Sequence, residues 1–174
     1  ESFESAPANA YLLGYRQVER YFESVAGRLR EEFRPRHIGA ASDQLVERIA
    51  GTPGSVAVHV RRGDYVTNEG TNHLFGTLGG DYYARAAAMI AERAEIDRFF
   101  VFSDDIAWCR ENLRLPGETT YSTGDSAAHE DLNLMRLCRH NIIANSSFSW
   151  WGAWLGESAE SVIVAPQVWF TNYP

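Results

Sequence analysis

The chain has 174 residues, a formal net charge of −7, 45% hydrophobic residues and 13% aromatic residues. This length fits one domain, and the balanced composition excludes disordered, collagen-like and coiled-coil proteins. No run approaches the roughly 18 consecutive apolar residues of a membrane-spanning helix. The acidic charge disfavours a nucleic-acid-binding protein. All 16 basic residues are arginine, which excludes lysine-dependent P-loop and Schiff-base chemistry.

The first predicted element is a long amphipathic helix. Apolar residues such as Leu12, Tyr15 and Val18 recur at steps of three and four over residues 11–33, the spacing of one helical face. A shorter helix follows, for which Ser42 or Asp43 is the predicted N-cap.

From residue 55 onward, short β-branched and aromatic runs alternate with helical patterns. They predict five strands, at residues 55–60, 98–103, 118–122, 141–145 and 161–165. The predicted helices between them cover residues 81–94, 106–113, 130–139 and 147–156, and a polar loop precedes Gly80. Asp81 is the predicted cap of the first of these helices, Asp104 or Asp105 of the second, and the last begins at Ser147 or Ser149. Apolar strands that alternate with helices predict an α/β fold, a Rossmann-like parallel sheet with helices on both faces.

Ligands of such sheets bind at the carboxyl ends of the strands. The first predicted strand ends in His59, Arg61, Arg62 and Asp64. Strand alternation places His59 and Arg61 on one face and Arg62 on the other. Two adjacent guanidinium groups fit phosphate oxygens bidentately, so we expect an anion site here. A surface arginine pair with an aspartate partner is the alternative interpretation.

The fourth predicted strand ends in a short polar segment that leads into a helix. Asn145, Ser146 and Ser147 occupy this segment. Hydroxyl groups and free backbone N–H groups at a helix N-terminus bind anions. The segment is therefore a candidate for the second half of a pyrophosphate clamp, with simple N-capping as the alternative.

The second predicted strand ends in Ser103, Asp104 and Asp105. Acidic strand ends can bind Mg²⁺ or Mn²⁺, but capping of the next helix is the favoured interpretation. The histidines lack zinc-site spacing, and no dinucleotide-binding or hydrolase motif is present.

Several longer motifs resemble the α-1,2-fucosyltransferase family over about residues 11–170. They are HVRRGDYV at 59–66, DYYARA at 81–86, FVFSDDIAWCRENL at 100–113, DLNLMRLCRHNIIANSSFSWWGAWLG at 131–156 and VIVAPQVWF at 162–170. The resemblance implies a GT-B-like fold whose C-terminal, Rossmann-like half binds GDP-fucose. It also implies inverting transfer of fucose to the 2-hydroxyl of a terminal galactose, with no required metal and no cofactor besides the donor substrate.

The resemblance also implies roles for individual residues. Arg61 and Arg62 would hold the pyrophosphate and stabilise the departing GDP, with His59 beside the nucleotide. Asp131 is the candidate for guanine recognition. The donor-binding segment would comprise Asn145, Ser146, Ser147 and Phe148, with the two serines against the phosphates. Asp64 and Glu69 are both candidates for the catalytic base, the latter at the position of a glutamate in related α-1,6 enzymes.

Members of this family begin with a half that carries a glycine-rich segment, which this sequence lacks. We therefore expect residues 1–174 to form a single donor-binding domain without the acceptor-side domain. Two alternatives stay open: a non-catalytic module that binds GDP or a nucleotide sugar, and a metal-dependent glycosyltransferase that uses Asp104 and Asp105. The expected partners are GDP-fucose and a galactose-terminated glycan. The expected location is the bacterial cytoplasm, including the periphery of the inner membrane.

Overall fold

The computed structural model describes residues 7, 9–11, 18–37, 39–124 and 126–171. Its centre is a five-stranded sheet in the order β3-β2-β1-β4-β5, and every neighbouring pair of strands is parallel. The strands are β1 (Ser55–Val60), β2 (Arg98–Ser103), β3 (Thr119–Tyr121), β4 (His140–Ile142) and β5 (Ile163–Val164). The predicted Rossmann-like α/β fold is confirmed.

Helices cover both faces of this sheet, as the alternating pattern predicts. They are α1 (Ala26–Glu32), α2 (Ala40–Ala50), α3 (Gly63–Thr67), α4 (Glu69–Phe75), α5 (Gly80–Ala91), α6 (Ile106–Asn112), α7 (Ala128–Leu137) and α8 (Ser147–Gly156). On one face, α5 and α6 pack against Val56, Val58 and Val60 of β1. On the other, α2, α7 and α8 pack against Ala57 of β1 and Phe102 of β2. Burial of both faces explains why the strands consist almost entirely of apolar residues.

The order of the strands determines where a ligand can bind. From β1 the chain moves outward through β2 to β3, and then crosses to the opposite side of β1 for β4 and β5. The connections after β1 and β4 therefore lead away from each other and leave a crevice at the carboxyl ends of these two strands. In open parallel sheets this position is where ligands bind.

The prediction of one long N-terminal helix is wrong for the part of residues 11–33 that the structure describes. Leu12 and Tyr15 lie outside the described residues. From Val18 the chain forms two 3-10 turns, Glu19–Tyr21 and Glu23–Val25, and then α1. None of these three elements contains a buried residue, so the periodic apolar stripe has no continuous core to face.

A set of aromatic rings holds this N-terminal segment instead. The ring of Phe22 lies 5.2 Å from that of Trp151, 5.3 Å from that of Trp154 and 6.2 Å from that of Trp150. We call these four residues the aromatic cluster. Phe33 of the same segment also stacks on Trp151, with centroids 5.4 Å apart, so ring contacts attach the segment without a regular helix.

The predicted polar loop before Gly80 is also wrong, because the stretch contains α3 and α4. The Asn68 side chain accepts a hydrogen bond from the backbone N–H of Thr71 and so caps α4. The rings of Tyr65 and Phe75 stack with their centroids 4.9 Å apart. This ring pair gives the two short helices a small core of their own.

Two helices begin earlier than their predicted caps. Helix α2 starts after Gly39, whose N–H donates to the Glu130 carboxylate, so that Ser42 and Asp43 lie inside the helix. Helix α5 starts after Gly79, and Asp81 lies in its first turn. Among the described residues, none of the helices is both long enough and apolar enough to cross a membrane.

Candidate functional site

Arg61 and Arg62 follow β1 directly and therefore lie at the carboxyl end of this strand, beside the crevice. The Arg61 side chain bridges two carboxylates: Nη1 donates to Asp104 over 2.7 Å, and Nη2 donates to Asp64 over 2.6 Å. The other Asp104 oxygen accepts the backbone N–H of Arg62 over 2.9 Å. Asp104 therefore links the end of β2 to the end of β1 and holds both arginines in place.

The Arg62 side chain is the more enclosed of the two, with 16% exposure against 35% for Arg61. Its Nε donates to Asp105 over 3.0 Å, and its guanidinium carbon lies 4.1 Å from the centre of the Trp108 ring. Its Nη1 and Nη2 atoms make no hydrogen bond among the described residues. Two adjacent, charged N–H groups with free donor capacity match two oxygens of a phosphate.

The acidic end of β2 therefore has a defined structural role. Asp105 caps α6, since its Oδ1 accepts from the Trp108 N–H over 3.0 Å, and the capping prediction is confirmed for this residue. The hydrogen bonds from the Trp108 N–H and from Arg62 lower the pKa of Asp105, so it stays ionised. Within the part of the chain that the structure describes, no group of three or more histidine, cysteine or acidic side chains could hold a metal ion.

His59 lies on the opposite face of the sheet from Arg62, as strand alternation predicts, because it contacts Phe148 of α8 whereas Arg62 contacts Trp108 of α6. His59 is 6% exposed, and its ring centroid lies 5.3 Å from that of Phe148. Burial lowers its pKa to about 4, against an opposing contribution from Asp104, while Arg61 lowers it further. The imidazole is therefore neutral at pH 7, and its buried Nδ1 has no hydrogen-bond partner among the described residues.

The segment after β4 forms the opposite side of the crevice. Ser146 is the N-cap of α8 and is buried, but its side chain makes no capping bond. Ser147, the first residue of α8, is exposed. The Ser149 hydroxyl instead turns back and accepts the Ala144 N–H over 2.9 Å. Among the residues that the structure describes, the hydroxyl groups of Ser146 and Ser147 thus make no hydrogen bond, and they lie at a helix N-terminus, the arrangement that binds anions.

Asn145 is engaged with the protein backbone. Its amide nitrogen donates to the carbonyl oxygens of Phe75 and Trp169 over 2.8 and 3.2 Å. The backbone carbonyl oxygen of Asn145 accepts a hydrogen bond from the Tyr65 hydroxyl over 2.9 Å. Its side chain ties α4 and the C-terminal segment to the end of β4.

The remaining candidates differ in how strongly the structure constrains them. Asp64 is half-exposed and paired with Arg61. Glu69 is exposed in the first turn of α4, and its side chain makes no hydrogen bond or ion pair among the described residues. Asp131 accepts the Ser126 hydroxyl over 2.5 Å, and burial raises its pKa.

The structure joins several of the predicted site residues in two sets of direct contacts. Arg61, Arg62, Asp64 and Asp104 form one hydrogen-bonded group, and His59 contacts Phe148 across the same edge of the sheet. Among the described residues, no hydrogen bond, ion pair or ring contact links Asp131 or Glu69 to this group. Sequence reasoning misses Trp108, because an aromatic residue inside a helical pattern gives no signal that distinguishes support of a charged group from ordinary core packing. It misses Tyr65 because that residue falls in the predicted polar loop.

The comparison with protein families decides the family. The family model described as Glycosyl transferase family 11 matches residues 2–172. The chain belongs to this family. The resemblance to α-1,2-fucosyltransferases that the motifs indicate is confirmed.

Similar members of Glycosyl transferase family 11 come from bacteria and mammals. The chain is 38% identical to an alpha-1,2-colitosyltransferase of Escherichia coli over 170 residues, which cover 95% of the chain and 58% of that protein. It is 30% identical to galactoside alpha-(1,2)-fucosyltransferase 1 of Bos taurus over 146 residues, 78% of the chain and 40% of that protein. The chain thus spans about half the length of the curated relatives it matches.

A solved structure supports the fold assignment of this family 11 member. The crystal structure of POFUT1 in complex with GDP aligns with a TM-score of 0.52 and 17% sequence identity. The alignment covers 74% of this chain and 46% of POFUT1. At this identity the similarity shows a shared fold.

Proposed function

We propose that this chain is the donor-binding part of a glycosyltransferase that transfers fucose from GDP-fucose to the 2-hydroxyl of a terminal galactose, with inversion and without a metal ion. The names of the two relatives share an α-1,2 linkage and differ in the sugar transferred. The linkage is therefore supported by both relatives and the fucosyl group by one of them. His59, Arg61, Arg62, Asn145, Ser146, Ser147 and Phe148 would surround the donor, and Asp131 would bind the guanine base.

The observation that carries the proposal is the state of Arg62 at the crevice. Its Nε and one ring face are held by the protein, while its two terminal nitrogens make no hydrogen bond among the described residues. The N-terminus of α8 supplies further donors from the other side of the crevice. Together they offer a fixed cationic fork and a set of neutral donors to a diphosphate.

This arrangement suits the departure of a nucleoside diphosphate. In an inverting transfer, the acceptor oxygen O2 bonds to the anomeric carbon from the face opposite the diphosphate. The bond from that carbon to the phosphate oxygen breaks, and GDP leaves with the electron pair. Arg62 and Arg61 would neutralise the charge that develops on the leaving oxygen, as preorganised donors do without reorganisation.

A base must also take the proton from the acceptor hydroxyl. The two candidates stand in different environments. The Asp64 carboxylate forms an ion pair with Arg61, whereas Glu69 is exposed and unpaired among the described residues. These environments favour Glu69 as the group that can accept a proton, with Asp64 as the residue that orients Arg61.

Calorimetric titration with GDP in the presence of EDTA tests the donor site, with UDP as the matched control nucleotide. We expect micromolar GDP binding without added metal and clearly weaker UDP binding. Mass spectrometry of lactose incubated with GDP-fucose then tests transfer. GDP binding without any transfer would favour a non-catalytic nucleotide-sugar-binding module, and GDP binding that appears only with Mg²⁺ or Mn²⁺ would refute the metal-independent proposal.

A further inference from the structure

Arg62, which follows β1, forms a closed set of contacts with two residues between the end of β2 and the first turn of α6, Asp105 and Trp108. Arg62 Nε donates to Asp105 Oδ2 over 3.0 Å. Asp105 Oδ1 accepts the backbone N–H of Trp108 over 3.0 Å. The Trp108 ring lies 4.1 Å from the Arg62 guanidinium carbon. Each of the three residues thus contacts the other two, so a shift of one changes both remaining contacts.

These contacts occupy only part of the guanidinium group. Asp105 takes the Nε edge and Trp108 takes one face, while neither engages the terminal nitrogens. Arg61 differs, because both of its terminal nitrogens already donate to carboxylates. Within the described part of the chain, the terminal nitrogens without a hydrogen bond are therefore those of Arg62 and not those of Arg61.

The position of the Trp108 ring does not depend on Arg62 alone. Trp108 is half-buried and packs against the apolar core that contains β1, β2 and α5. The Asp105 cap fixes the first turn of α6, where Trp108 lies. The fold therefore sets the position of the Trp108 ring, and the Arg62 guanidinium packs against its face.

We infer that Trp108 is a positioning residue, which acts with Asp105 to hold the Arg62 fork ready for a diphosphate. The inference rests on the proposed function, because it assigns the phosphates of a nucleotide as the ligand of that fork. An arginine that binds from a mobile state loses rotamer freedom, and this loss reduces affinity. A guanidinium already held on a ring and a carboxylate avoids most of that loss, and the cation–π contact adds attraction in a partly desolvated place.

A pair of substitutions separates the ring's electrons from its bulk. Trp108→Leu keeps apolar volume but removes the aromatic face, whereas Trp108→Phe keeps a smaller face. We expect Trp108→Leu to weaken GDP binding about tenfold and Trp108→Phe by about threefold or less. Binding of guanosine, which has no phosphate, should be unchanged in both. In the Arg62→Ala background, Trp108→Leu should cause no further loss of GDP affinity, since it acts through Arg62.

Arg110→Ala serves as the control. Arg110 lies in α6, as Trp108 does, and its guanidinium carbon lies 4.4 Å from the centre of the Tyr121 ring. It belongs to no part of the candidate site. This variant should bind GDP as the wild type does. Equal GDP losses in Trp108→Leu and Trp108→Phe, or a loss that adds to that of Arg62→Ala, would overturn the inference and leave Trp108 as a packing residue.

A nucleotide-independent readout separates this inference from the proposed function. The Nε–H resonance of Arg62, assigned by its disappearance in Arg62→Ala, should be resolved in the wild type, kept in Trp108→Phe and lost in Trp108→Leu. That pattern in a protein that binds no GDP would support the positioning role and overturn the proposed donor site. A resonance unaffected by Trp108→Leu would overturn the positioning role even if GDP binds.

Discussion

The Tyr65 hydroxyl donates to the backbone carbonyl oxygen of Asn145 over 2.9 Å, and this bond connects the two sides of the crevice. Tyr65 lies in α3, just after β1, whereas Asn145 follows β4. These are the two strands between which the order of the sheet reverses. The bond therefore ties the segments after these two strands together beside the place where the donor is proposed to bind.

The side-chain amide of Asn145 forms a second link, because it donates to the carbonyl oxygens of Phe75 and Trp169. Its removal should loosen this region while the backbone bond to Tyr65 is kept. Asn145→Ala removes the amide donor from the partly buried carbonyl oxygens of Phe75 and Trp169, which should lower the free energy of unfolding by about 1–3 kcal/mol. Urea denaturation measures the loss, and limited proteolysis between α3 and α5 should become faster. Asn112→Ala, which removes an exposed amide at the end of α6, is the control and should leave stability and cleavage nearly unchanged.

Substitution of Arg62 tests the phosphate fork directly. Arg62→Ala should weaken GDP binding by about 2–3 kcal/mol, the range for hydrogen bonds to charged groups. Arg62→Lys should restore only part of this, because a single ammonium group cannot bind two oxygens in a fixed geometry. Calorimetry at constant salt measures both variants. Arg98→Ala removes a charge at the opposite end of β2 and should have no effect; a comparable loss there would contradict a localised site.

Gly63 follows the arginine pair and has no room for a side chain. An added Cβ would lie 2.6 Å from Asp104 Oδ2, and Asp104 is fixed by its bonds to Arg61 and Arg62. We expect Gly63→Ala to displace Asp104 and to weaken GDP binding, with a loss of stability of about 1–2 kcal/mol. Gly27→Ala, where an added Cβ meets no atom within 4 Å, should leave both properties intact or slightly raise stability.

The buried imidazole of His59 predicts a pH dependence of stability. Its pKa is about 4 in the folded chain, against an ordinary value of 6.5. Between these values the unfolded chain binds the proton and the folded chain does not, so stability falls as the pH drops from about 6.5 to 4. The contribution is about 3 kcal/mol. Urea denaturation at several pH values gives the free energy of unfolding as a function of pH, and this free energy should fall less steeply for His59→Gln than for the wild type. The contribution of His140 is the same in both proteins and cancels. An identical pH dependence in the two proteins would refute the prediction.

The packing of α7 against α8 depends on two glycines that differ in tolerance. A Cβ on Gly156 would collide with the backbone carbonyl of Arg136, which cannot move without distorting α7. A Cβ on Gly152 would meet the flexible end of the Met135 side chain first. We expect Gly156→Ala to lower the melting temperature far more than Gly152→Ala, with a loss of about 3 kcal/mol or more against about 1–2 kcal/mol. Equal effects would show that the helices can separate.

The sheet could be predicted from the sequence because its cause is local. Burial on both faces forces strands such as β1 and β2 to be apolar throughout, and helical patterns between them require parallel neighbours. The arginine pair could be located for the same reason, since its place at the end of β1 follows from chain order. The capping role of Asp105 likewise depends only on its position before α6.

The features that could not be predicted depend on partners far along the chain. The short helices α3 and α4 are stabilised in part by Tyr65, which bonds to Asn145, three strands further along the chain. The N-terminal segment shows helical periodicity, but its course is set by the rings of α8 that receive Phe22. The free state of the Arg62 fork follows from which carboxylates reach it, and no spacing in the sequence distinguishes Arg62 from Arg61.

The aromatic cluster gives the protein a spectroscopic signal of its own. The indole rings of Trp150 and Trp151 are nearly perpendicular with centroids 5.2 Å apart, and those of Trp151 and Trp154 are 5.4 Å apart at a similar angle. Indoles this close couple their excited states, so the cluster should dominate the near-ultraviolet circular dichroism. Because Phe22 holds the N-terminal segment against these rings, detachment of that segment would alter the dichroism without involving the crevice. Circular dichroism and nucleotide titration would therefore report on two separate parts of the same chain.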